Sequence, residues 1–255
     1  MLFDTHTHYD DPQFDSDRDE LLAALPENGI GCVVDPGCDL PSSRMAVELA
    51  NRFPHVYAAV GIHPENCADY DPTMLDELRA LVKANKKVVA IGEIGLDYHW
   101  EDENTPREKQ QRVLRDQLAL AQELDLPVII HDRDAHGDIM AIVREFPAVR
   151  GVFHCYGGSV EDAKELVKRG WMLGFNGVIT FKNARKAPEV IKMLPHERIL
   201  LETDSPYLAP VPLRGKRNDS RNVRLVCEKV AEFLELPTEE VEQFTWENAK
   251  RFYRI

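Results

Sequence analysis

Cysteine is sparse and shows no pairing pattern. The chain has five, at positions 32, 38, 67, 155 and 227, and no Cys-x-x-Cys pair. An odd number without such a pair argues against a disulfide framework and predicts a reducing compartment, the cytoplasm. No stretch reaches the roughly 18 uncharged apolar residues of a membrane span, and Met1 to His6 lack the basic and apolar regions of a secretory signal. Positive charge is short as well: 31 Lys and Arg face 44 Asp and Glu, for a net charge of −13. That argues against broad electrostatic binding of duplex nucleic acid, but not against a nucleotide or strand end held by metals and a few local cations. No Gly-x-Gly-x-x-Gly turn follows the first apolar run, which disfavours an open doubly wound sheet. Linkers, low-complexity tracts and repeats are also missing. One domain spanning residues 1–255, acting as a monomer with no membrane partner, is therefore expected.

What is present is alternation. Apolar, β-branched-rich runs begin at Leu2, Gly31, Val56, Val88, Val128, Gly151, Trp171 and Ile199. Continuous apolar runs suit strands of a parallel sheet buried on both faces. Segments of helical period separate them, at 17–25, 43–52, 73–85, 107–124, 137–145, 160–169 and 184–193, with two more at about 220–235 and 238–252. The helix over 107–124 is expected to open with Thr105 as cap, Pro106 in the first turn and Glu108 closing a capping box. Eight β and α units in about 250 residues predict the α/β class and a (β/α)8 TIM barrel with extra C-terminal helices.

Ligand-type side chains cluster just after these runs. His6 and His8 share a strand face with Asp4, Glu93 follows the fourth run, His131 and His154 end the fifth and sixth, and Asp204 ends the eighth. Taken singly, His131 and His154 read as core histidines, Glu93 as a barrel salt bridge and Asp204 as a turn cap. Together they lie where barrels place catalytic groups. A set this rich in imidazole suits Zn, Ni, Fe or Mn better than Mg or Ca. Strand alternation puts Arg133 and Tyr156 one step nearer solvent, and Glu202 and Asp4 one layer deeper as supporting acids. His63 is a proton group, a substrate contact or a plain loop histidine. Asp97 reads as a loop-ordering acid, Cys155 as a structural thiol, and His99-Trp100 as part of the rim. Lys182, Arg185 and Lys186 follow the seventh run, and Arg214, Lys216, Arg217 and Arg221 the eighth, where this fold often builds a phosphate site.

The ordered motifs resemble those of the TatD family of metal-dependent deoxyribonucleases, within the amidohydrolase-like barrels. They include Asp4-Thr5-His6-Thr7-His8, Gly61-Ile62-His63-Pro64, Gly92-Glu93-Ile94-Gly95-Leu96-Asp97, His131-Asp132-Arg133, His154-Cys155-Tyr156-Gly157-Gly158, Glu202-Thr203-Asp204-Ser205-Pro206 and Arg214-Gly215-Lys216-Arg217-Asn218. The resemblance implies two divalent ions (Zn, Mn or Mg), with His6, His8, Glu93, His131, His154 and Asp204 as ligands and Glu93 between the ions. It also implies a 3′→5′ exonuclease acting on DNA, better on single strands. His63, Arg133, Tyr156, Glu202, Arg214, Arg217 and Asn218 are then supporting or substrate-contacting residues.

The expected chemistry is phosphodiester hydrolysis by an activated water, with Asp204 as the proton acceptor. An alternative is an amidohydrolase-type enzyme cleaving a small ester, lactone or amide, since the same site would polarise a carbonyl. A metal-stabilised binding scaffold is the third possibility, but a structural site commonly has four ligands and is closed.

Overall fold

In the computed structural model, residues 1–99 and 105–255 are described; Trp100 lies outside them. Eight strands form one sheet in chain order: β1 (Leu2–Asp4), β2 (Ile30–Pro36), β3 (Val56–Val60), β4 (Val88–Asp97), β5 (Val128–Arg133), β6 (Gly151–Phe153), β7 (Met172–Phe175) and β8 (Ile199–Leu201). Neighbouring strands run parallel, for example β1 with β2, β4 with β5 and β7 with β8. The last strand returns to the first: the Thr5 N–H donates to the Leu201 carbonyl at 3.0 Å, and Thr7 bridges to Ser205. The fold is the (β/α)8 barrel that the alternation predicts. The helices are α1 (Arg18–Ala24), α2 (Leu40–Arg52), α3 (Met74–Ala84), α4 (Arg107–Leu124), α5 (His136–Glu145), α6 (Val160–Lys168), α7 (Ala187–Met193), α8 (Val223–Leu234) and α9 (Thr238–Tyr253). Among the described residues, no helix is long and apolar enough to cross a membrane.

The chain divides into two compact units, residues 1–35, 53–56 and 154–255 in one, and 36–52 and 57–153 in the other. In the first, β1, β7 and β8 are fully buried, as continuous apolar runs require. Helix α9 is fastened to them. Phe3 packs against Trp246 and Tyr253, with ring centroids 5.9 and 6.0 Å away. The Asn248 amide donates to the His196 and Ile199 carbonyls at 2.7 and 2.9 Å.

In the second unit, α4 buries Val113, Leu114, Leu118 and Ala121, but Gln110 and Gln117 lie buried too. Each carries a backbone segment that the sheet leaves unsatisfied. Gln117 accepts from the Ile62 N–H at 2.7 Å and donates to the Ile62 carbonyl at 2.9 Å. Gln110 does the same for Asp97, at 2.9 and 3.0 Å. The expected capping box is not formed. Pro106 occupies the cap position without a side-chain bond, and Gln110 instead reaches back to the Thr105 carbonyl at 2.8 Å.

Candidate metal centre

Strand β4 runs on past the point where its apolar run ends. Ile91 pairs with Val128 and Ile94 with Ile130, so two residues, Gly92 and Glu93, stand opposite Ile129 alone. Such a bulge re-aims a side chain, and here it places Glu93, only 3 % exposed, inside the sheet rather than in the following loop. Glycine is needed beside it, because a Cβ on Gly92 would lie 2.7 Å from that of Ile129.

Around Glu93, one cluster forms in its unit. His131 sits with Nδ1 2.9 Å from the Glu93 Oε1 and Nε2 3.1 Å from the Asp97 Oδ2. His63 Nε2 lies 3.7 Å from the same Glu93 oxygen. At its other nitrogen, His63 accepts the Glu65 N–H at 3.3 Å, which fixes the proton on Nε2 and aims it at Glu93. Burial works to raise the Asp97 carboxyl, but the bond to His131, the His99 N–H and the charges of His131 and Arg133 outweigh it and hold it below the usual carboxylate range. Asp97 is thus a partner of His131 as well as the loop acid expected from sequence, since it also accepts the His99 N–H at 2.9 Å. Strand parity pointed to this, because Glu93, Gly95 and Asp97 are two residues apart.

A second cluster forms in the other unit, at the carboxyl ends of β1, β6 and β8. His6 Nε2 and His8 Nε2 are 3.1 Å apart. The Asp204 Oδ1 lies 3.6 Å from the first and 3.4 Å from the second. Ligands at about 2.1 Å from an ion stand about 3.0–3.4 Å from one another in octahedral or tetrahedral geometry, so His8 has that spacing to both His6 and Asp204, and the third separation is slightly wider. Burial pushes the Asp204 carboxyl up, but the hydrogen bond from His8 and the charges of His154, His6 and His8 bring it below its ordinary value, so it stays ionised. Asp204 adopts a left-handed backbone with φ +57°. Aspartate tolerates this conformation at a cost of about 1 kcal/mol or more, a strain typical of functional sites.

The His154 ring stacks on His6 with centroids 4.1 Å apart and planes 10° from parallel. Its Nδ1 lies 3.5 Å from the Glu202 Oε1. Glu202 is one layer deeper, as alternation predicts. The same oxygen is anchored by the Cys155 N–H at 2.6 Å and the Asn176 amide at 3.2 Å. A Cβ at Gly174 would run into that carboxylate, so β7 leaves room for it. Deeper still, Asp4 accepts from the Thr203 N–H and hydroxyl at 2.9 and 2.6 Å, and burial pushes its carboxyl up to about 7.

The remaining candidates separate. Arg133 is exposed at the end of β5. Tyr156 is nearly buried, and its hydroxyl donates to the Ser159 carbonyl at 2.7 Å. Asn218 is a brace, its amide donating to the Thr203 and Tyr207 carbonyls at 3.0 and 2.8 Å. The guanidinium of Arg217 is committed to Asp17 and the Gln13 carbonyl, and Arg214 lies over the Phe181 ring at 4.4 Å. Arg217 therefore pins a loop in place, the supporting use among the two that were expected of it. The Cys155 thiol is pushed up to about 12 by burial, which fits a structural thiol rather than a nucleophile. Sequence reasoning missed two residues, Asn176, which positions Glu202, and Tyr207, an exposed ring 6.4 Å from His8 whose hydroxyl donates to Asp11.

Residues 3–254 match the family model described as TatD related DNase. The chain belongs to the TatD family. It is 44 % identical to the metal-dependent hydrolase YabD of Bacillus subtilis, whose activity is uncharacterized, with all of both chains covered. It is 34 % identical to the 3′-5′ ssDNA/RNA exonuclease TatD of Salmonella typhimurium, over 87 % of this chain and 85 % of that one. Among solved structures it is similar to the TatD homologue YjjV of Escherichia coli, with a TM-score of 0.93, 32 % identity and coverage of 100 % and 98 %. As a TatD-family member it is a metal-dependent hydrolase acting on ester bonds, and each of its two clusters is a group of histidines and carboxylates able to hold a metal ion.

Proposed function

We propose that this TatD-family hydrolase is a 3′→5′ exonuclease that removes nucleotides from single-stranded DNA, with residues 1–255 working as one catalytic domain. The observation that carries the reading is the convergence of His6, His8 and Asp204, whose three ligand atoms lie 3.1–3.6 Å apart. The substrate is inferred from the relative named as a 3′-5′ ssDNA/RNA exonuclease. The chemistry of the donors fits divalent ions, which His6, His8, Glu93, His131, His154 and Asp204 would hold. Ions bound there supply Lewis acidity and lower the pKa of water towards about 7.

The chain's own groups do the rest. Asp97 and Glu202 hold the rings of His131 and His154 in orientation, the carboxylate–histidine arrangement that strengthens a ligand. His63 presents a proton towards Glu93. Asp204, kept ionised, takes the proton of the attacking water. The water oxygen bonds to phosphorus, the bond to the 3′-oxygen of the preceding nucleotide breaks, and the proton passes to that oxygen.

The test is cleavage of 3′-labelled and 5′-labelled single-stranded oligonucleotides by metal-stripped protein with Mg, Mn or Zn restored. Stepwise loss from the 3′ end is expected, with Asp204→Asn about 10²-fold slower or worse. Protein that holds two ions yet leaves both oligonucleotides intact would move the assignment to a small ester, lactone or amide.

A further inference from the structure

Beside the second cluster lies a cavity of about 360 Å³, built from the last residue of β7 and the segments that follow β6 and β7. Tyr156, Phe175, Ile179 and Val190 give it an apolar lining, and Arg185 and Lys186, which also line it, are exposed to solvent and so form its rim. It begins at Cys155, the residue after His154, and includes Asn176, the amide that anchors Glu202. The cavity is therefore joined through the backbone and one hydrogen bond to a candidate metal ligand.

Three properties define its occupant. Ligand pockets run from about 300 to 1,000 Å³, so this one has room for a single small unit and not for a longer segment. Two flat rings, Tyr156 and Phe175, line an otherwise aliphatic wall, which suits a planar heterocycle. The rim cations attract an anion. Among the described residues neither Arg185 nor Lys186 is in an ion pair, whereas Arg217 and Arg221 are spent on Asp17 and Asp219. On a chain of net charge −13, two uncommitted cations at the mouth of an apolar cavity fit a ligand with one apolar end and one phosphate end.

We propose that this cavity binds the terminal nucleoside 5′-monophosphate unit of the substrate. Base and sugar lie against the apolar wall, and the phosphate stays at the mouth between the rim cations and the His154 side. The inference rests on the exonuclease reading and gives it a reason for acting from an end, since one unit fits and the next must remain outside.

Calorimetric titration of the protein with dTMP, thymidine and inorganic phosphate tests it, apart from any measurement of cleavage. Ala187→Leu adds bulk to the lining, and the double variant Arg185→Ala, Lys186→Ala strips the rim; thermal melts confirm that both variants fold. Ala187→Leu is expected to weaken dTMP and thymidine about tenfold or more while leaving phosphate unaffected. The double variant is expected to weaken dTMP about three- to tenfold and flatten its salt dependence, with thymidine unchanged. Binding of dTMP that neither variant disturbs would overturn the proposal, and so would rim cations that bind phosphate alone. Wild-type protein that cleaves oligonucleotides but gives either of those results refutes the cavity and keeps the exonuclease. Protein that cleaves none, yet loses dTMP affinity on Ala187→Leu, keeps the cavity and refutes the exonuclease.

Discussion

His131 has a carboxylate at each ring nitrogen, Glu93 at 2.9 Å and Asp97 at 3.1 Å. A ligating imidazole needs one nitrogen for the ion and a partner for the other, and Asp97, held in its ionised form, supplies that partner. Replacing it with Asn keeps the size and one acceptor but removes the charge. Asp97→Asn is therefore expected to lower metal affinity about 10- to 100-fold in a competition titration against a chromophoric chelator, with the fold intact. Unchanged affinity would reduce Asp97 to the loop-ordering acid that the sequence suggests. At this scale the motifs were legible because ligand types recur after apolar runs. The bulge at Gly92–Glu93 was not, since it depends on what stands opposite in β5. The commitment of Arg217 to Asp17, 200 residues earlier in the chain, was likewise invisible to local spacing.

Among the elements, α4 shows how a helix can fix a site without touching it. Its buried glutamines satisfy the backbone at Ile62, next to His63, and at Asp97, the partner of His131. Gln117→Leu would leave a buried N–H and a buried carbonyl without partners, at about 1–3 kcal/mol each. A urea denaturation midpoint well below wild type is expected, while Gln243→Leu on the exposed face of α9 should stay within about 0.5 kcal/mol. Equal stability of the two variants would remove α4 from the support of the site. The strands and helices themselves were readable because parallel strands are continuous apolar runs and the helices keep a 3.6-residue period. The bounds of α4 came out as read, at Arg107–Leu124, but its cap was misread, because the Gln110 amide, rather than the threonine hydroxyl, serves that helix end.

At the scale of the whole molecule, bound metal is expected to add stability. Ions bound only by the folded chain stabilise it by about 4 kcal/mol when free ion exceeds its dissociation constant a thousandfold. In a protein of this size that corresponds to a melting shift on the order of 10 °C. Chelation followed by a thermal melt should show it, and re-addition of the ion should reverse it; a melt indifferent to chelator would mean that the clusters are assembled by the fold alone. The central claim is that six residues spread over the chain hold two ions, with Glu93 serving both. The most direct test is metal content per chain by inductively coupled plasma mass spectrometry, joined to anomalous scattering from crystals of wild type and Glu93→Gln. Two ions per wild-type chain are expected, with anomalous peaks at His6–His8–Asp204 and at His131, and loss of at least one peak in the variant. A single ion in wild type, or two peaks untouched by Glu93→Gln, would contradict it.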